Sequence, residues 1–190
     1  MQSDWSVACG PDDPTVAVPW AGAEATLRYI DLREAPDRIE EIPEAVLYPC
    51  IHAALRCWNS PDSPYFTAKC DVWSYPAELY DAEDLSEFGY AQASYVDLLS
   101  RDESTFSQFS IAETLLKALS GLADLVPATA ARCEWILRPA YLFSGTESVS
   151  GFAMTLYIWG YGDSPEAAAG TWAAAVAALV EPLLPRRRCP

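Results

Sequence analysis

Two stretches of this chain repeat one another in order and in residue type, and that echo constrains the fold more than any other feature. Tyr29-Ile30-Asp31-Leu32 is answered by Tyr95-Val96-Asp97-Leu98, and Ala68-Lys69-Cys70-Asp71 by Ala131-Arg132-Cys133-Glu134. Helical spacing lies between the members of each pair, beginning near Glu44-Ala45 in the first block and Ala112-Glu113 in the second. From Asp to Cys the separations are 39 and 36 residues. Two strand-helix-strand units in tandem make an α+β protein with a ferredoxin-like β-α-β-β-α-β core built by internal duplication. Right-handed crossovers would put both helices on one face of the sheet.

The remaining elements follow from periodicity and punctuation. Thr15–Trp20 and Ala25–Leu32 read as strands, rich in β-formers. Helical spacing from about Ile42 to Trp58 carries Pro49 in its middle, which kinks the helix or starts it there. Phe66, Ala68, Cys70 and Val72 alternate with polar neighbours up to Trp73, so this run is a half-buried strand, as is Tyr90–Leu99. Ser110-Ile-Ala-Glu113 has capping-box spacing ahead of a leucine-rich helix over about 111–126. Thr129 to about Leu137 and Phe152–Tyr161 complete the strands. Ser164-Pro165-Glu166 opens an Ala-rich last helix with a cap, a proline at its first position and an acid in its first turn. One domain over 1–190 is expected, with a loose segment at 1–14, the duplicated core at 25–143, a strand-helix extension at 151–184 and a flexible basic tail at 185–190.

Charge limits the partners. The formal net charge is −15, with no basic residue before Arg28, between Lys69 and Arg101, or between Arg138 and Arg186. Such a body repels phosphate backbones and anionic bilayers, so neither nucleic acid nor membrane is an expected partner. The longest apolar run, Ala167–Val180, is too short to span a bilayer. No basic and apolar leader opens the sequence, which points to the cytoplasm. There the six irregularly spaced cysteines are expected to stay reduced.

Few residues offer chemistry. His52 is the only histidine; Cys50 and Cys57 beside it lack the paired spacing of a zinc site, and no cofactor or metal is expected. No phosphate-binding glycine loop, nucleophile elbow or CxxC occurs, so the reading leans away from an enzyme. Asp31 and Asp97 are the carboxylate candidates. Antiparallel neighbouring strands would leave them at opposite ends of the sheet, each serving loop amides. The acidic run Glu78, Asp81, Glu83, Asp84 and Glu87 lacks the calcium-loop pattern and reads as a solvated connection. Alternation over 152–161 puts Phe152, Met154, Leu156 and Ile158 on one face and Tyr157, Trp159 and Tyr161 on the other. With Trp73 and Tyr75 these rings are the ligand-binding candidates, as walls of a pocket between the sheet and the last helix. The same face is also a candidate for self-association as a homodimer.

Two functions are expected from these features. The first is an acidic interaction protein of inhibitor, immunity or adaptor type, steered electrostatically to a basic protein partner. The alternative is a small-molecule-binding protein or enzyme with an aromatic pocket.

Overall fold

A computed structural model describes residues 1–21, 28–76, 88–128 and 130–183. It shows a mixed α+β fold around a six-stranded sheet. Its strands are β1 (Gln2–Val7), β2 (Val16–Val18), β3 (Tyr65–Pro76), β4 (Tyr90–Ser100), β5 (Ala131–Ser144) and β6 (Glu147–Gly162). The helices are α1 (Pro43–Leu47), α2 (Pro49–Trp58), α3 (Glu103–Ser107), α4 (Phe109–Asp124) and α5 (Pro165–Leu183), with a 3-10 helix over Pro36–Glu41. No helix is long and apolar enough to cross a membrane among the described residues.

Strands β5, β6, β4 and β3 lie side by side in that order, all antiparallel. Beyond β5 the edge is shared by β1 and β2, both parallel to it. Two hairpins, β3-β4 and β5-β6, therefore meet along the central β4/β6 pair. The second closes on the two-residue turn Gly145-Thr146, where the glycine takes φ +61 as such a tight connection requires.

Cys70 lies on β3 and Cys133 on β5, the strands that flank the central pair. A strand over 25–32 is not found in the part that is described. Residues 22–27 lie outside it, Arg28 makes a single bridge to Ala21, and Tyr29–Leu32 belong to no strand. Asp31 turns the chain here: its carboxylate accepts the Arg33 amide at 3.0 Å, and its carbonyl accepts the amides of Glu34 and Ala35. The β-rich composition of this segment loses to that turn.

Other boundaries move for equally local reasons. Pro49 splits the expected 42–58 helix into α1 and α2. Ser110 is not a cap; the N-cap of α4 is Gln108, because Asp102 has already started a turn by accepting from Thr105, and α4 follows after one extended residue. The 1–14 segment is not loose throughout. Gln2–Val7 forms β1, with the Ser3 amide donating to Asp124 at 2.8 Å and Trp5 lying under Lys117 of α4. Its polar alternation hides an edge strand, which needs pairing rather than burial. The 78–87 acidic run and the 185–190 tail lie outside the described residues.

Helices α4, α5 and α2 cover one face of the sheet, α4 over β1 and β5, α5 over β6 and β4, and α2 against α5 and β3. The main core fills this interface, with Trp58, Trp135, Trp172, Leu98, Leu116, Leu137, Leu156 and Ile158 fully buried. Ser164 caps α5 by accepting the Ala167 amide, as its Ser-Pro-Glu start predicts. The helix then comes close enough for its backbone to rest on Gly160 and Gly162 of β6.

Candidate functional site

The opposite sheet face carries no helix of that layer. At one end, β2 and the chain around Tyr29 cover it with Val16, Val18, Phe66, Ala68, Leu99, Phe106, Ala140 and Ala153. At the other lies a second apolar cluster of Tyr75, Ala91 and Ala93, with Trp73, Trp159 and Tyr161 half-buried against it. A polar group sits between the two clusters. Asp97 of β4 and Thr155 of β6 are directly opposed in register, and the threonine hydroxyl donates to the Asp97 carboxylate at 2.6 Å. Arg138 of β5, one step across the sheet, donates its Nε to the same hydroxyl oxygen at 3.2 Å.

Alternation explains the gathering. Neighbouring strands in register present residues on the same face at matching positions, so Asp97, Thr155 and Arg138 share this face with Tyr95 and Tyr157. The two tyrosines are themselves opposed, with ring centroids 5.6 Å apart. Lys69 arrives by another device. One extra residue in β3 between Thr67 and Cys70 forms a bulge, and Lys69 within it extends over the Trp20 ring at 5.6 Å.

These side chains line a cleft of ≈ 880 Å³ that runs past the bulge of β3 from the open sheet face toward Ile42, Glu44 and Leu55. That volume lies within the range of small-molecule sites. Asp97 keeps only 6% of its surface exposed. Burial lifts its carboxyl to about 6, opposed by the Thr155 hydrogen bond and by Arg138 and Lys69. Burial likewise pushes the Cys70 thiol up to about 12, helped by Glu44, Asp71 and Asp97, so it stays protonated and is a poor nucleophile. Tyr95 is raised for the same reasons, burial first and Asp97 second.

No family model, no curated protein and no solved structure matches this chain.

The sequence-derived candidates fall into separate places. Asp31 lies away from the cleft wall, held by Arg33 through both carboxylate oxygens. Asp97 does not serve a loop: it stands mid-strand under the cleft. Trp73, Tyr157 and Trp159 form a run of rings with Tyr95, at centroid distances of 6.3, 5.6 and 5.6 Å. Tyr75 and Tyr161 continue the same face, Tyr161 stacked on Phe88 at 5.9 Å. None of the five lies between the sheet and α5. At Gly160 and Gly162 α5 sits directly on the sheet backbone. Only Tyr157 reaches the cleft wall.

His52 faces Glu40 at 3.3 Å and is not part of the cleft. Cys9, Cys50, Cys57, Cys70 and Cys133 are unbridged. Among the described residues, no three potential metal ligands come together. Sequence reasoning missed Lys69, Arg138 and Thr155. Lys69 was visible as the basic member of the repeated small-basic-Cys-acidic block. Arg138 has no local signal, since its place beside Thr155 depends on which strands are neighbours.

Proposed function

We propose that this chain is a binding module for a small organic molecule, seated in the cleft over the open sheet face. What carries the reading is the buried Asp97–Thr155–Arg138 relay at the foot of a ligand-sized cavity, with Tyr95 and Tyr157 alongside as an aromatic floor. Sheets bury polar groups where a partner satisfies them, and here part of that partner's place is open volume. Binding is favoured over catalysis because the cleft offers a protonated thiol and no imidazole. A fragment screen by ligand-observed NMR should return binders, and Tyr157→Ala should weaken them by about tenfold. Tyr157 is half-buried and belongs to none of the apolar clusters, so the variant should keep its fold. A screen with no binder sensitive to Tyr157→Ala would rule the module out.

The duplication belongs to the same reading in a changed form, as two α-β-β units, α2-β3-β4 and α4-β5-β6, sharing the central strand pair. Its support is the register: Cys70 pairs with Val96 and Cys133 with Ile158, each the residue after one tyrosine of the opposed Tyr95/Tyr157 pair.

A basic protein partner is a second reading, favoured by the exposed acids Glu34, Asp37, Glu40 and Glu41 clustered around the 3-10 helix in a chain of net charge −15. Steered association of that kind weakens steeply with salt. Charge reversal of Glu34 and Asp37 to Lys should slow capture of the partner by about tenfold at low ionic strength. Salt-independent capture would exclude the electrostatic reading. A second copy of the chain is the remaining outcome, and concentration-dependent sedimentation would reveal it.

A further inference from the structure

We propose that the ligand of this cleft is a planar organic anion, an aromatic or heteroaromatic carboxylate, whose acidic group is received between Lys69 and Arg138 while its ring lies on Tyr95 and Tyr157. The inference rests on the small-molecule reading above and names the class.

Three of the chain's twelve cations, Arg28, Lys69 and Arg138, line this one cleft. In a protein of net charge −15 this concentrates cations beside four acids, Glu41, Glu44, Asp71 and Asp97, so the cleft is far closer to neutral than the chain as a whole. The acids around the same volume are already occupied in three cases. Glu41 is held by Arg38 through two contacts of 2.7 Å. Asp71 turns back to accept the Val72 amide at 2.8 Å. Asp97 accepts from Thr155, and burial raises its carboxyl to about 6.

A carboxylate is the anion that suits the donors. Arg138 spends its Nε on Thr155, and it remains a planar fork with further N–H groups. Once protonated, Asp97 is a hydrogen-bond donor beside it, able to share that proton with a ligand carboxylate. Lys69 and Arg138 are the cations acting on Asp97. Asp71 and Cys70 on β3, Tyr95 on β4, Tyr157 on β6, Glu44 of α1, Glu41 and Arg28 are the other titratable groups lining the same cleft. When the anion arrives, the negative charge beside Asp97 raises its proton affinity further. Binding near neutral pH then takes up a proton from solvent, which goes to the Asp97 carboxylate, and no covalent bond changes.

The planar body follows from the floor. Tyr95 and Tyr157 lie with rings tilted by 39° in one row, with the Trp159 ring stacked beyond at 15° to Tyr157. Aromatic ligands gain most on such a platform.

The test uses one ring with three head groups: indole-3-acetate, indole-3-acetamide and tryptamine, titrated calorimetrically into the full chain. The carboxylate should bind at least about tenfold more tightly than the amide, and the amine least. Its affinity should fall between about pH 6 and pH 8, and the heat should depend on buffer ionisation as proton uptake requires. Arg138→Gln should erase the preference for the carboxylate, and Asp97→Asn should remove the proton uptake. Because Arg138→Gln risks the fold, weakening of native-chain affinity at high ionic strength gives an independent reading of the charge contact. If the amide or amine binds as tightly as the carboxylate, the anion assignment is overturned while the small-molecule reading stands. If none of the three binds, and the fragment screen has given Tyr157-sensitive binders that are not anions, the assignment is again overturned. If the screen too is empty, both readings fail together.

Discussion

Replacing Gly160 with alanine should destabilise the protein by about 3 kcal/mol, a large effect for one methyl group. Gly160 lies on the face of β6 that meets α5. A Cβ at this position would stand 2.1 Å from the Trp172 amide nitrogen and 2.5 Å from its Cα. Those are backbone atoms of a helix and cannot swing aside as a side-chain tip would. Trp172 is itself fixed: it is fully buried, its Nε1 donates to Ser94 at 2.9 Å, and its ring meets Tyr48 edge-on at 5.3 Å. Relief therefore means lifting α5 from β6 and β4 and opening the core along their contact. Gly170, on the same helix, has no atom within 4 Å of a Cβ, so Gly170→Ala should stabilise by about 0.5–1 kcal/mol through helix propensity. Chemical denaturation of the two variants gives opposite signs if the close approach is the cause. A neutral Gly160→Ala would show that α5 stands further off.

This contact also shows where sequence is informative. The Ala-rich run and its Ser-Pro-Glu start announce a helix, and alternation over 152–161 separates a core face from a face of rings, because both are one-dimensional patterns. Gly160 sits in the middle of that alternation with no mark of what it receives. The pairing of α5 with it depends on a loop and on helix packing, neither of which repeats with a period. Strand neighbours were misjudged for the same kind of reason. Tyr29-x-Asp31 resembles Tyr95-x-Asp97 residue for residue, yet Asp31 has an arginine two residues on and folds back upon it, whereas Asp97 has Leu98 and Leu99 and stays in the sheet. The turn at Asp31 engages Arg33 through both its amide and its guanidinium. With no strand over the described residues 28–32, β6 takes the place beside β4, which brings Thr155 opposite Asp97 and Arg138 next to both. Each of those residues is ordinary in its own strand, and the site exists only in the register between strands.

Asp97→Asn should raise stability at about pH 8 by about 3 kcal/mol, and the gain should vanish below about pH 4. The sign follows from the direction of the shift. In the open chain this carboxyl titrates as an ordinary aspartate at 3.8, and burial raises it to about 6 in the fold. Below 3.8 both states are protonated and Asp97 costs nothing. Between 3.8 and about 6 the unfolded chain ionises first, so native stability declines as pH rises. Above about 6 both are ionised and the full cost of a buried charge is present, reduced by Thr155, Arg138 and Lys69 but not cancelled. Asparagine keeps the shape and an oxygen for the Thr155 hydroxyl to donate to, while it carries no charge at any pH. Thermal unfolding of both chains across this range measures the difference directly. A gap that ignores pH, or a variant less stable at pH 8, would mean that Thr155, Arg138 and Lys69 outweigh desolvation and that the Asp97 carboxyl is not raised in the fold. The same variant separates structure from binding. A carboxyl that costs the fold at neutral pH has no structural reason to be there, since an amide or an alkyl group would pack as well. If stability rises while the pH dependence of indole-3-acetate binding disappears, the proton on Asp97 serves the ligand. If stability rises and that pH dependence is untouched, the proton that moves on binding belongs to another group of the cleft.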